Sequence, residues 1–373
     1  MVSATLLSLV CCPDCRGALA PASPSEPDLV CRSCGLRYPQ PTRDFLDLRP
    51  ARAYAEQTKY LDESLHADAR HETVSPPLLQ SGVRQRQLRR FLDLGAGDRV
   101  IDLGCGSGRS MLWNAPSGAA FVGADVSPFF AHQARQSTDL ALADLRRLPF
   151  RDASFTKGYA LDVLEHLSPE SLDGMLAEAA RVLAPGGVLF VYSHVRKNAP
   201  IAGGLRAINA LARRLERLGL IDMTQERLRK SDHLNPLVDV PHLEAVVARA
   251  GFRIARIRYY TPIVGGFVEN ILVRMAEQFL TRRAARRGGA AGPGPEGAAV
   301  REARTAAKAR LARGGPMLAA LKTLTVLMDI DLLLFGRIQS GPFFALLEKQ
   351  APGPARADAV PGRAARDAAG TPS

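Results

Sequence analysis

Two groups of residues have the types and spacing for chemistry. The first is the run Asp102-Leu-Gly-Cys-Gly-Ser-Gly108, followed by acids at Asp125 and Asp144. An apolar stretch that runs into Gly-x-Gly-x-Gly brings backbone close to a ligand, because glycine accepts left-handed backbone and carries no Cβ to block the approach. The dinucleotide fingerprint Gly-x-Gly-x-x-Gly would need a glycine where Arg109 stands. Asp102, just ahead of the first glycine, repels a pyrophosphate and attracts an ammonium, which points to a cofactor bearing an amino acid. Asp125 suits the two hydroxyls of a ribose, and Asp144 with Leu145 suits the edge of a base. For Asp144 a solvated turn is the competing reading.

The second group is Cys12-Pro-Asp-Cys15 and Cys31-Arg-Ser-Cys34. Two C-x2-C knuckles can close a tetrahedral zinc site, and four thiolates leave no open position, so such a Zn2+ is structural. Five of the six cysteines fall in the first 34 residues. That clustering reads as a metal site in a reducing compartment, not a disulfide framework. Cys11 is a spare neighbour of the ribbon, and Cys105 sits in the glycine run. The start, Met-Val-Ser-Ala-Thr-Leu-Leu-Ser-Leu-Val-Cys, lacks the basic region of a signal peptide, so the expected location is cytoplasmic.

The elements needed to position these groups are legible from the pattern. Apolar runs at Val100–Leu103, Ala120–Ala124, Leu140–Ala143, Gly158–Leu161 and Gly187–Tyr192 alternate with helical stretches such as Ser171–Leu183. The alternation predicts an α/β fold, a Rossmann-like doubly wound and mostly parallel sheet, here with a small N-terminal four-cysteine zinc ribbon. The expected organisation is a ribbon over 1–50, a helical extension over 51–94 and a core over 95–262 with a helical lid at about 194–240. A helical insertion and returning last strand follow over 263–350, then a disordered tail over 351–373. Leu205, Ile208, Leu211 and Leu215 are expected on one face of the lid, and Ile271, Leu272, Met275 and Phe279 on one face of a later helix. Residues 281–315 read as a linker with little to bury.

Taken together, Val100-Ile-Asp-Leu-Gly-Cys-Gly-Ser-Gly108, Gly123-Ala-Asp-Val-Ser127, Ala143-Asp144 with Leu148-Pro-Phe150, Asp162-Val-Leu-Glu-His-Leu167 and Arg181-Val-Leu-Ala-Pro-Gly-Gly187 resemble the class I S-adenosylmethionine-dependent methyltransferases of type 11. Within that class they are similar to the ubiquinone/menaquinone biosynthesis methyltransferases. The resemblance covers residues 99–193 and implies S-adenosyl-L-methionine as cofactor. It implies the methionine end near Asp102 and Gly104, within the loop Gly104, Cys105, Gly106 and Gly108. The ribose would lie at Asp125, with adenine near Val126, Asp144 and Leu145 and with Leu161 at the end of the fourth strand. Two departures stand out: Thr156 follows Phe155 where the family has aspartate, and Pro116 cuts the first crossover helix short. The segment from Cys12 to Pro50 resembles the small ribbons of the tRNA-methyltransferase activator family.

For a base, the sequence offers His166 after the fourth strand, His194 after the fifth and His233 in the lid. Covalent methylation of a pyrimidine carbon is argued against, since the only cysteine outside the ribbon is the cofactor-loop Cys105. The Asn/Asp-Pro-Pro-aromatic tetrapeptide of exocyclic amine methyltransferases is replaced by Leu161-Asp-Val-Leu164. The net charge of +12 is uneven: residues 281–373 hold 15 Lys/Arg against 7 Asp/Glu. A basic nucleic-acid groove in the core is therefore not implied. The expected acceptor is a small molecule methylated on oxygen or activated carbon and lipid-like in one version. The alternative is an RNA base, with the ribbon gripping RNA or a partner. A retained but non-catalytic scaffold is the third reading, and the intact cofactor acids argue against it. Arg227, Arg229 and Lys230 could hold an anionic acceptor group or form a solvated helix face. Basic clusters beside the apolar stretch 316–334 allow peripheral contact with a membrane. No run is long and apolar enough to span one, because Asp329 and Asp331 interrupt the best candidate.

Overall fold

The computed structural model of the chain describes residues 2–23, 26–50, 74–197, 202–223, 233–276, 278–279, 282 and 314–351. The expectations for 51–73, for Arg227, Arg229 and Lys230, for 283–313 and for 352–373 lie outside the described residues.

Eleven strands are present among the described residues: β1 (Leu19–Ser23), β2 (Glu26–Cys31), β3 (Arg37–Tyr38), β4 (Leu46–Asp47), β5 (Arg99–Leu103), β6 (Ala120–Asp125), β7 (Asp139–Leu142), β8 (Phe155–Leu161), β9 (Leu183–His194), β10 (Phe252–Tyr259) and β11 (Pro342–Lys349). The helices are α1 (Ala4–Leu9), α2 (Leu79–Leu92), α3 (Arg109–Asn114), α4 (His132–Ser137), α5 (Pro169–Val182), α6 (Ala202–Arg217), α7 (Val240–Arg249), α8 (Ile263–Phe267), α9 (Pro316–Leu327) and α10 (Ile330–Phe335).

β1 to β3 form a small antiparallel sheet, while the other eight build one sheet in the order β10-β11-β9-β8-β5-β6-β7-β4. β5 pairs in parallel with both β6 and β8, so the order reverses there and opens a crevice at their carboxyl ends. β11 enters between β9 and β10 and is antiparallel to both. The mostly parallel, doubly wound sheet expected from the alternation is the fold observed. Pro116 sits in a 3-10 turn, Ala115–Ser117, that closes the short α3.

The ribbon does not stand apart from the sheet. β4 adds in parallel to the edge strand β7, and Leu48 N–H donates to Leu142 O at 3.0 Å. Cys11 N–H donates to Pro149 O, and Arg151 N–H to Leu9 O, each at 2.9 Å. Leu6, Leu29, Leu46 and Leu48 share one buried apolar cluster with Phe150, Phe155 and Leu176 of the core. A ribbon this small buries little on its own, so docking supplies the apolar burial it lacks.

Helix faces follow the expected periods with two differences. In α6 the buried residue is Ala212, with Ile208 and Leu215 packed beside it, whereas Leu211 is exposed. After α8 the chain makes a π-helical turn, Val268–Val273. Its extra residue rotates the following face, so Ile271 is buried while Leu272, Met275 and Phe279 are exposed. The apolar stretch 316–334 is two helices, broken at Met328–Asp329. Asp331, fully buried, accepts from Val264 and Gly265 N–H at 2.9 and 2.7 Å, and Asp329 pairs with Arg86 at 2.8 Å. Among the described residues no helix is long and apolar enough to cross a membrane.

Candidate active site

The crevice at the end of β5 is built from glycines that need to be glycines. Gly104, Gly106 and Gly108 have φ of +75°, +53° and +80°. A Cβ on Gly104 would meet Val163 Cγ2 at 2.5 Å, and one on Gly108 would meet Ala134 Cβ at 2.7 Å. Above Gly106 there is open space, with nothing within 4 Å of that Cβ position. The loop is tied to the next strand end by Asp125, whose Oδ2 accepts from Gly106 N–H at 2.7 Å and whose Oδ1 accepts from Ser127 N–H at 2.8 Å.

Asp102 lies beneath this loop, 2 % exposed, and its Oδ2 has no hydrogen-bond donor on it. Burial pushes its carboxyl up to about 8; the nearby Tyr159 hydroxyl opposes the rise and the Asp125 carboxylate adds to it. Burial likewise raises Asp125, against the pull of its backbone donors. The Cys105 thiol is buried beside the loop and pushed well up, which keeps it neutral and a poor nucleophile. Val126, Leu145 and Leu161 are half-buried along the strand ends. The Asp144 carboxylate is already engaged: it accepts from Arg146 N–H at 2.9 Å and pairs with the Arg146 guanidinium at 2.9 Å. These residues fit S-adenosylmethionine. An unpartnered buried carboxylate oxygen awaits an ammonium, and an open cradle lies over Gly106.

At the carboxyl ends of β8 and β9 the three candidate histidines come together. The His233 ring lies 4.7 Å from that of His166 and 5.4 Å from that of His194, centroid to centroid. Glu165 sits among them, 3 % exposed. Its Oε1 is 4.0 Å from His194 Nδ1, and its Oε2 accepts from Ser193 Oγ–H at 2.8 Å. Its carbonyl accepts from Leu234 and Asn235 N–H at 2.8 and 2.9 Å, which hangs the lid segment carrying His233 on the turn after β8. Burial raises the Glu165 carboxyl to about 7, with the Asp162 charge adding and the Arg84 cation opposing. Arg84 reaches in from α2, pairs with Asp162 and lies 4.7 Å over the Tyr192 ring. Glu165 had a signal, since it precedes His166 directly. Arg84 had none, being far away in the chain.

In the ribbon, Cys12 Sγ is 3.7 Å from Cys34 Sγ, and Cys15 Sγ is 3.4 Å from Cys31 Sγ. All four sulfurs lie within 4.8 Å of one another. Zinc–sulfur bonds of about 2.3 Å in a tetrahedron require sulfurs about 3.8 Å apart, so the set fits a zinc ion. Ser33 and Cys34 N–H point at Cys31 Sγ at 3.4 and 3.5 Å, and Gly35 takes φ +74° to allow the turn. The Tyr38 hydroxyl bridges Cys12 Sγ, at 3.0 Å, and Asp14, at 2.7 Å.

Residues 101–191 match the family described as Methyltransferase domain, and residues 3–39 the family described as Trm112p-like protein. The chain is similar to Methyltransferase GfsG of Streptomyces halstedii, 34% identical over 155 residues, which covers 37% of this chain and 55% of that protein. It is also similar to the demethylmenaquinone methyltransferase of Tropheryma whipplei (strain Twist), 37% identical over 127 residues, with 32% and 52% covered. The chain thus spans about half the length of these curated relatives. Among solved structures, phosphoethanolamine N-methyltransferase 2 of Haemonchus contortus overlays with a TM-score of 0.45 at 15% identity, covering 79% of this chain and 59% of that one. Residues 101–191 are therefore a class I S-adenosylmethionine-dependent methyltransferase domain, preceded over residues 3–39 by a Trm112p-like domain whose four cysteines lie close together.

Proposed function

We propose that the chain transfers a methyl group from S-adenosylmethionine to an oxygen or activated carbon of a small-molecule acceptor. The observation that carries this reading is the placement of two complementary ends along the carboxyl ends of one sheet: the Asp102 Oδ2, which has no donor, beside the open Gly106 cradle, and the Glu165–histidine cluster at β8 and β9. The cofactor, when bound, supplies an electrophilic methyl on a sulfonium. Asp102 takes its ammonium, and Asp125, with lone pairs left beyond its two backbone donors, takes the ribose hydroxyls. Val126 and Leu145 flank the adenine, with Asp144 held by Arg146 and contributing through backbone. At the acceptor end His194 takes the hydroxyl or carbon-acid proton, and Glu165 stabilises the imidazolium that results.

Calorimetry with S-adenosylmethionine on the wild type and Asp125→Ala tests the cofactor half; equal binding by both, or by neither, sinks it. Labelled cofactor in cell extracts, with methylated products resolved by mass, tests the acceptor class. The relative named demethylmenaquinone methyltransferase supports that class. A second reading, an RNA base acceptor, is favoured by the Trm112p-like match and by similarity, 34% over 135 residues, to a mouse protein named Probable tRNA methyltransferase 9B. RNA binding that weakens steeply with salt would select it. We further read the ribbon cysteines as holding structural zinc, which their clustering supports, and the protein as cytoplasmic. Peripheral membrane contact is supported by the exposed Met317, Val326, Leu333 and Leu334 on α9 and α10. Sedimentation with anionic vesicles tests it.

A further inference from the structure

We propose that Glu165, His166 and His233 form a binding site for a divalent first-row transition metal ion at the acceptor end of the crevice. Each offers one ligand atom, and these atoms lie within 4.8 Å of one another. Ligands sharing an ion at about 2.1 Å sit about 3.0–3.4 Å apart, so small side-chain rotations close the site. Two imidazoles and one carboxylate are the donor set of catalytic zinc and of facial-triad metal centres, which keep open positions for a substrate oxygen.

The supports of such a site are in place. Ligands of this kind are held by outer hydrogen bonds, and Ser193 Oγ–H fixes Glu165 Oε2 at 2.8 Å. The two N–H donors of Leu234 and Asn235 on the Glu165 carbonyl pin His233 to the same turn as its co-ligands. The cluster is separate from the ribbon's four thiolates and shares no residue with them.

The role of the ion rests on the methyl-transfer reading. It takes a hydroxyl or enol oxygen of the acceptor as a ligand and lowers its pKa. The proton passes to His194, whose Nδ1 lies 4.0 Å from Glu165. The oxygen lone pair then forms the bond to the methyl carbon, the carbon–sulfur pair returns to sulfur, and the cofactor leaves as a neutral thioether. The acceptor class is thus an oxygen nucleophile able to ligate a metal.

The test loads the metal-stripped full chain with cobalt(II) and follows stoichiometry and absorption. The ribbon ion gives intense thiolate charge transfer; the expected second ion binds without it and brings the count from one ion per chain to two. Glu165→Gln and His233→Ala each remove the second ion and leave the thiolate signal and cofactor binding unchanged. A count that stops at one ion overturns the proposal, as does a second ion that persists in both variants. Loss of cofactor binding by Asp125→Ala is read separately, so failure of the metal site and failure of the methyltransferase reading are distinguishable.

Discussion

The proposed role of Asp102 as partner of the cofactor's ammonium predicts that cofactor binding is proton-coupled, with a sign that reverses with pH. In the free protein burial pushes its carboxyl up to about 8. At pH 7 it is therefore about 90% protonated and neutral. Receiving an ammonium favours the ionised form, so binding at pH 7 releases close to one proton from this group. The cofactor's own amino group, with an ordinary value of about 7.8, must be protonated to pair and takes up about 0.1 proton at the same pH. Net release is about 0.8 proton at pH 7, near zero at pH 8, and net uptake of about 0.8 at pH 9. The product of the two competent fractions also makes affinity about twentyfold weaker at pH 6 than at pH 8. Calorimetry in buffers of different ionisation enthalpy measures both quantities. In Asp102→Asn the release disappears and only uptake remains, growing as pH rises. Constant affinity between pH 6 and pH 8, or the same proton count in wild type and Asp102→Asn, would refute the assignment of Asp102 to the ammonium.

Three more outcomes follow from the packing. Gly106→Ala puts a methyl into the open cradle at φ +53°. It should cost about 1–2 kcal/mol in stability from left-handed backbone, yet weaken cofactor binding far more than that, as melting and calorimetry on one sample would show. Glu178→Ala removes the buried acceptor of Arg181, Arg16 and the Leu148 N–H. Arg181 keeps Asp152 and two carbonyls but loses this partner, and the Leu148 N–H is left without an acceptor, so the loss should be about 2–3 kcal/mol by denaturant unfolding, and a change under 1 kcal/mol would contradict it. Cys31→Ser should abolish thiolate-bound metal and also lower the melting temperature of the methyltransferase domain, because the ribbon and the sheet share one apolar cluster. A melting curve for the domain unchanged by the substitution would show the ribbon to be an independent unit.

The glycine loop was legible because its requirements are local. Left-handed backbone at Gly104, Gly106 and Gly108 follows from residue type, and the acids at the ends of β5, β6 and β7 follow from apolar runs that stop at a carboxylate. The cluster of Glu165 and the histidines was only half legible. His166, His194 and His233 were three separate candidates in the sequence, with no spacing that joins them. Arg84, nearly 80 residues from Asp162, carried no mark at all. Helix faces failed where a period shifted: the π turn over Val268–Val273 turns Met275 and Phe279 off the face of Ile271, and a face drawn at constant period cannot show it.

The residues alone determined the strand–helix alternation, the glycine turn with its acidic partners and the two cysteine knuckles. Each is a pattern whose physics acts within a few residues of chain. The tertiary structure decided three things. It brings Glu165 and three histidines to one place, it leaves Asp102 buried with one oxygen lacking a donor, and it joins the ribbon to the sheet through β4 and a common core. These depend on which distant surfaces exclude water from one another, and burial then sets the charge state of the carboxylates.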